Sequence, residues 1–212
     1  MKAPHVYYIS QGKTPADHLA NIKKMVDAQV DWVQLRIKDA DETTIFDIAN
    51  QAQSYCQSHD VKFIINDSIN IAKAYNADGV HLGKQDAQPS KAREILDANK
   101  IVGGTANTLE DCLNLIDQGV DYIGVGPFRF TTTKKNLSPI LALEGYQKII
   151  SELKHLRQNP TLIAIGGITL EDIPYLTKVG ISGVALSSEL HRQNNLANTI
   201  LHIKNHFQKM HL

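Results

Sequence analysis

The sequence is poor in the features that mark several protein classes. Its 212 residues contain two cysteines, Cys56 and Cys112. They have neither metal-ligand spacing nor enough partners for a disulfide framework. Both fall in helix-like stretches, where burial as small apolar residues is expected. No run of ~18 or more apolar residues occurs, so no membrane-spanning helix is expected. The N-terminal MKAPHVYYIS lacks an extended apolar signal core, and with so few thiols the expected setting is the reducing cytoplasm. Neither charge is in excess: Lys plus Arg is 22 and Asp plus Glu is 22. A nucleic-acid binder held by bulk electrostatics would be basic. A disordered tail would carry more net charge and fewer apolar residues than the 42% present. Zinc-binding H-E-x-x-H, the G-x-S-x-G elbow and a Cys–His nucleophile pattern are all missing.

Short apolar runs alternate with longer amphipathic ones, which is the signature of α/β architecture. Eight runs read as strands: HVYYIS (5–10), WVQLRI (32–37), KFIIN (62–66), GVHL (79–82), KIVGG (100–104), YIGVG (122–126), TLIAIG (161–166) and GVALS (183–187). Divided among eight units, 212 residues leave about 26.5 each, near the minimum for a strand–helix pair. The segments between have helical spacing, as in Leu19, Ile22, Met25 and Val26, or Ile45, Ile48, Ala49, Ala52, Tyr55 and Cys56. Thr108 with Asp111, and Thr169 with Asp172, are box-like helix starts.

A faint repeat marks every second strand. Asp31-Trp-Val-Gln-Leu35, Asp78-Gly-Val-His-Leu82, Asp121-Tyr-Ile-Gly-Val125 and Ser182-Gly-Val-Ala-Leu186 each place a small polar residue before apolar ones two and four positions on. Four such units on alternate strands point to a closed (β/α)8 TIM barrel, a single domain over 1–212, with an open doubly wound sheet as the alternative.

Active sites of such barrels lie at the C-terminal strand ends, and polar residues collect there. Alternation puts Gln34, Arg36 and Lys38 on one side of strand 2. An amide and two cations facing inward need a partner, and a phosphate suits a fork and a point charge together; a solvated strand face is the plainer reading. Strand 3 ends at Asn66-Asp67, and Asp86 follows strand 4. Mg²⁺ bridging the two carboxylates and a phosphate would relieve their repulsion. The alternatives are an N-cap at Asp67 for a helix starting near Ile69, and a surface loop at Asp86. Strand 5 runs into Gly103-Gly104-Thr105, and strand 6 into Gly124-Val-Gly126-Pro127 and then Thr131-Thr132-Thr133-Lys134-Lys135. These glycines permit close backbone approach. The hydroxyls and cations suit phosphate, although a polar loop with no ligand remains open. The stretch 127–140 is long for a strand–helix connection. Gly166-Gly167 and Ser187-Ser188 end strands 7 and 8, the recurrent phosphate position of these barrels. His81, between Val80 and Leu82, reads first as a hydrogen-bonded structural histidine and second as an acid or base. The residues therefore describe two anion sites, one cationic with Mg²⁺ and one neutral. Together they suggest a transferase that joins a pyrophosphate-activated group to a phosphorylated acceptor.

The pieces VQLRIK (33–38), IIND (64–67), ADGVHLGKQD (77–86), DYIGVGP with TTTKK (121–135), AIGGI (164–168) and GVALSS (183–188) are individually weak. In this order and spacing the chain resembles the thiamine phosphate synthase family along nearly its whole length. The resemblance implies an enzyme of class EC 2.5.1.3 on a (β/α)8 barrel. It would couple 4-amino-2-methyl-5-hydroxymethylpyrimidine diphosphate to 4-methyl-5-(2-hydroxyethyl)thiazole phosphate, with Mg²⁺ as cofactor. Small-molecule substrates are the implied partners, not nucleic acid or membrane, with a homo-oligomer possible. By the same resemblance Gln34, Leu35, Arg36, Ile37, Lys38, Asn66, Thr105 and Lys134 hold the pyrimidine diphosphate. Of these Arg36, Lys38, Thr105 and Lys134 are the catalytic set. Asp67 and Asp86 bind the metal, and Thr131, Thr132, Thr133, Gly167, Ser187 and Ser188 hold the thiazole phosphate. The implied chemistry is dissociative: pyrophosphate leaves and the thiazole nitrogen traps a pyrimidine methylene cation.

Three positions depart from the family pattern. Ser68 stands where Arg is usual, Thr105 replaces Ser, and Phe128-Arg129-Phe130 replaces Ile-Phe-Pro. Arg129 is expected to restore the charge missing at Ser68, so that Arg129→Ala weakens diphosphate binding. Competing readings are a thiazole tautomerase, which needs a proton-transferring base such as His81, and a non-catalytic phosphate-metabolite sensor.

Overall fold

The computed structural model of the chain describes residues 2–38, 40–130 and 139–208. Eight parallel strands close into one barrel in chain order. They are β1 (Val6–Ile9), β2 (Trp32–Leu35), β3 (Lys62–Asn66), β4 (Gly79–Leu82), β5 (Ile101–Ala106), β6 (Tyr122–Val125), β7 (Leu162–Ile165) and β8 (Gly183–Leu186). The closing pair, β1 with β8, sets Tyr7 against Ala185. Every expected strand is present, β3 and β4 with the expected bounds and the other six trimmed or extended by one or two residues at their ends, and the open sheet is excluded. Helices α1 (Pro15–Asp27), α2 (Glu42–Ser58), α3 (Ile69–Ala74), α4 (Pro89–Ile95), α5 (Leu109–Asp117), α6 (Ala142–His155) and α7 (Ile173–Val179) cross back between strands. A 3-10 turn (Leu170–Asp172) precedes α7, and a short α8 (Ser188–His191) and α9 (Leu196–Gln208) follow β8.

The period of two along each strand divides the core in two. Val6, Val33, Leu35, Phe63, Val80 and Val102 point outward and pack under the helices. Tyr7, Ile9, Trp32, Ile64, Ile101, Tyr122, Ile163 and Ala185 fill the barrel itself. Cys56 on α2 and Cys112 on α5 are fully buried in the outer layer. Burial holds both thiols protonated, pushed up to about 12. The helix starts follow the sequence where it carries boxes: Thr108 and Asp111 cap α5 reciprocally, and Thr169 and Asp172 do so at the 3-10 turn. Thr14 and Asp17 add a third box at α1.

The repeat on alternate strands has a structural cause. Asp31, Asp78 and Asp121 each donate their N–H to the carbonyl of a residue at the start of the preceding strand, Val6, Phe63 and Val102 (3.0, 2.9 and 2.8 Å). Each carboxylate then accepts the N–H of that same residue in return, at 2.8, 3.0 and 2.7 Å. Each aspartate thus clamps the bottom of an odd strand to the even strand that follows. At the fourth unit Ser182 donates to Leu162 (2.9 Å), but it has no carboxylate to complete the clamp. Asp78→Ala should therefore cost about 1–2 kcal/mol, because it strands the Phe63 amide. The part-exposed Lys62–Asp78 ion pair adds little. Ser182→Ala should stay within ~0.5 kcal/mol. Urea midpoints of the two variants check this, and equal losses would contradict the clamp.

Candidate active site

The interior period continues past the strand ends and lifts polar groups into a cavity of about 780 Å³ at the C-terminal face. On β2 the register Trp32, Gln34, Arg36, Lys38 runs from core to rim, and the last three line the cavity. Gln34 is almost fully buried. Leu35 and Ile37 alternate outward instead. Leu35 belongs to the core under the helices and Ile37 packs against it, so neither side chain lines the cavity.

Asn66, Asp67 and Asp86 meet Arg36 and Lys38 on one wall. The Lys38 ammonium lies 3.6 Å from Asp67 Oδ2. Burial, and then the Asp86 carboxylate within hydrogen-bonding reach, raise Asp67 from 3.8 to about 6, against the pull of Lys38 and Arg36. Asp86 is itself held by the Gly83 N–H (2.7 Å). Two carboxylates this close need a proton or a cation between them. Asp67 does not cap α3. Ser68 does, accepting the Ile71 N–H (3.3 Å). The chain turns left-handed at Asp67 (φ 68°), a conformation that Asp and Asn tolerate, and this leaves its side chain to Asp86. Ser68 is thus the capping residue of α3.

The opposite wall is neutral. Gly166 and Gly167 turn left-handed after β7 (φ 90° and 71°), and Ser187 and Ser188 follow β8. All four line the cavity. Ser187 Oγ donates to Gln11 (3.1 Å). Thr105 lies between the walls, half-buried, with its hydroxyl 2.9 Å from His81 Nε2. The other ring nitrogen of His81 meets Tyr122 (2.9 Å), so His81 is the hydrogen-bonded histidine expected first. Thr131, Thr132, Thr133 and Lys134 lie outside the described residues.

Two expectations are corrected here. The glycines of strands 5 and 6 do not all serve a ligand. A Cβ on Gly103 would sit 2.1 Å from the Tyr122 ring, one on Gly104 would sit 2.5 Å from Leu115, and one on Gly124 would sit 3.2 Å from His81. They make room for side chains. Nor does Arg129 restore charge beside Ser68. The backbone N–H groups of Phe128 and Arg129 donate to Ile165 and Gly166 (both 3.0 Å), which carries Arg129 to the end of β7. There its guanidinium forks onto Asp172 at 2.5 and 2.8 Å and reaches the Gly167 carbonyl at 2.7 Å.

Gln11, Lys84, Asn107 and Arg192 also line the cavity and were not anticipated. Gln11 was findable, since it continues the interior series Tyr7, Ile9 past the end of β1. Asn107 likewise continues Ile101, Gly103 and Thr105 past the end of β5, whereas Lys84 and Arg192 sit beyond strand ends without a periodic signal. Lys84 pairs with Asp111 (2.6 Å) and Arg192 with Glu189.

The fold and cavity define a (β/α)8 barrel enzyme with a cationic, carboxylate-bearing wall facing a neutral anion cradle. The sequence profile of the thiamine monophosphate synthase family matches residues 6–190. Thiamine-phosphate synthase of Flavobacterium psychrophilum is 45% identical over 188 residues, 89% of this chain and 91% of that one. That of Flavobacterium johnsoniae is 48% identical over 180 residues, 85% of each chain. Among solved structures, thiamine phosphate pyrophosphorylase from Pyrococcus furiosus superposes with a TM-score of 0.81 at 25% identity, covering 96% of this chain and 95% of the other. A 3-hexulose-6-phosphate synthase shares the fold alone, at 13% identity and TM-score 0.68. The chain belongs to the thiamine monophosphate synthase family and is a transferase with thiamine-phosphate synthase activity. Among the described residues no helix is long and apolar enough to cross a membrane.

Proposed function

We propose that the cationic wall holds the pyrimidine diphosphate, with Mg²⁺ on Asp67 and Asp86, and that the neutral wall holds the thiazole phosphate. The observation that carries this reading is the adjacency of Asp67 and Asp86 beneath Arg36 and Lys38. Two hard carboxylates within hydrogen-bonding reach of each other, next to groups that attract phosphate, are the donor set that Mg²⁺ uses when a substrate completes its shell. Bound there, Mg²⁺ would supply charge neutralisation for the diphosphate.

The remaining chemistry falls to the chain. The bond from the pyrimidine methylene to the diphosphate oxygen breaks with its electron pair on the leaving group. The thiazole nitrogen then forms the C–N bond with its lone pair. No proton has to move in either step. Arg36 and Lys38, with Lys134, stabilise the departing charge; Asn66 and Thr105 orient it; Gln34 holds the ring. On the other wall Gly167, Ser187 and Ser188, with Thr131, Thr132 and Thr133, seat the acceptor phosphate. Leu35 and Ile37 contribute through backbone alone. Buried, unpaired thiols fit a cytoplasmic setting.

Incubation with both substrates, with and without Mg²⁺, tests the reading. Thiamine phosphate and pyrophosphate should form together and only with the metal. Product formation without any divalent cation would remove Mg²⁺ from the account, and an isomerised thiazole alone would point to the tautomerase.

Arg129 acts on the acceptor side in this scheme. Its fork ties the segment before Thr131 to the turn that holds the thiazole phosphate. Arg129→Ala should raise KM for thiazole phosphate about tenfold and leave KM for the diphosphate within twofold, the loss of one charged hydrogen-bonded contact. Arg129→Lys should recover little, since an ammonium cannot fork. Initial rates with each substrate varied in turn decide it; a selective rise for the diphosphate would reverse the assignment.

A further inference from the structure

The barrel interior holds a continuous string of hydrogen bonds that begins and ends at cavity-lining residues. Gln34 Nε2 donates to the Tyr7 hydroxyl (2.8 Å). Tyr7 meets the Tyr122 hydroxyl (3.0 Å), Tyr122 meets His81 Nδ1 (2.9 Å), and His81 Nε2 meets the Thr105 hydroxyl (2.9 Å). Gln34, Tyr7, Tyr122 and His81 are each at most 6% exposed. Room for the string is built in, since side chains at Gly103 or Gly124 would collide with Tyr122 or crowd His81. Trp32 packs edge-on against both tyrosines at 5.6 and 5.3 Å.

Each hydroxyl in the string has one proton, and a buried donor left unmatched is costly. Because Tyr7 receives the Gln34 N–H, its own proton goes to Tyr122. With every donor matched, Tyr122 would then donate to His81 Nδ1, His81 would keep its proton on Nε2 and give it to Thr105, and the Thr105 proton would turn to the cavity. Turning the Gln34 amide over reverses every link.

We propose that Gln34, Tyr7, Tyr122, His81 and Thr105 form one proton-ordered relay that couples the amide orientation of Gln34 to the donor or acceptor character of the Thr105 hydroxyl, with Tyr7, Tyr122 and His81 as positioning residues. In the direction that the Gln34 Nε2–Tyr7 bond sets, the relay offers Gln34 Oε1 as acceptor and the Thr105 hydroxyl as donor. That pair matches a ligand with an amino group and an anionic oxygen, as an aminopyrimidine diphosphate has. This match deepens the proposed function and rests on it; the relay itself does not.

The experiment reads the His81 tautomer from two-bond ¹H–¹⁵N ring correlations in the intact, ligand-free protein at pH 8, so it stands apart from any activity assay. The wild type should carry its proton on Nε2. Gln34→Glu puts an acceptor-only carboxylate at the head of the string, and should move the proton to Nδ1 from two tyrosines away. Gln34→Glu combined with Tyr7→Phe should restore the Nε2 form, because the string is cut. A wild-type Nδ1 form, an unmoved proton in Gln34→Glu, or a move that survives Tyr7→Phe would each overturn the relay. In the kinetic arm Tyr122→Phe should lower kcat about tenfold with KM for thiazole phosphate unchanged. An unchanged kcat would remove its positioning role.

Discussion

Asp67→Asn is expected to lower kcat/KM by at least about a hundredfold while making the metal-free protein more stable. The two effects share one cause. Asp67 is ionised against both burial and the Asp86 carboxylate, which raises it from 3.8 to about 6. Below about pH 4 the acid is protonated in folded and unfolded chains alike and the site costs nothing. As pH rises through about 6 the unfolded chain releases this proton more readily than the folded one, so stability is lost across that window. For a fully buried group the difference would be worth about 3 kcal/mol; with the side chain 36% exposed, screening leaves roughly 1 kcal/mol. Asparagine keeps the left-handed backbone and removes the charge. Its stabilisation over wild type should therefore vanish near pH 4 and reach its full value above pH 6. Saturating Mg²⁺ should narrow the gap by binding the wild-type pair. Thermal scans at several pH values, with and without Mg²⁺, give the profile. An Asn variant no more stable than wild type at pH 7.5 would mean that the carboxylates do not repel.

The barrel was legible because its periodicities are strong and repeated. Strand alternation pointed Gln34 and Arg36 inward, where both line the cavity, and the strand-end rule led to Asn66, Asp67, Asp86, Gly167 and Ser187, which line it too. The repeat of Asp31, Asp78 and Asp121 was visible as pattern only. Its cause, a carboxylate clamping the preceding strand, needs the strands in register. What stayed hidden are contacts between residues far apart in sequence. Arg129 follows the strand 6 glycines, so its charge looked available to the diphosphate; Asp172, 43 residues on, already holds it. The glycines near Thr105 looked like approaches for a ligand, and only the Tyr122 and Leu115 side chains explain two of them. By sequence Asp67 is a candidate cap of α3; the cap falls one residue later, at Ser68, and this leaves the Asp67 carboxylate to Asp86. The difference turns on a backbone angle that neither residue type dictates.

Arg36→Ala is the second large effect, an expected loss of about 10²–10³-fold in kcat/KM, comparable to removing one donor from a site of developing negative charge. The backbone beneath it is held independently, since the Arg36 N–H donates to Ser10 Oγ (2.9 Å). The variant should therefore keep the cavity's shape. Arg36→Lys should recover part of the loss, as a charge without the fork. Net charge across the chain is zero, so attraction for a diphosphate must come from this local group of cations rather than from the protein's overall field. The same arrangement gives a control with the opposite sign. Arg36 is one of two cations that pull Asp67 toward ionisation, and both also repel a metal ion bound there. Without Arg36, Mg²⁺ alone should bind no more weakly than to wild type once the carboxylate is ionised, even as the diphosphate binds more weakly. Calorimetric titrations above pH 7, with Mg²⁺ alone and then with pyrophosphate plus Mg²⁺, separate the two. Parallel losses of both affinities would mean that the substitution had collapsed the wall, whereas divergence would assign Arg36 to the anion.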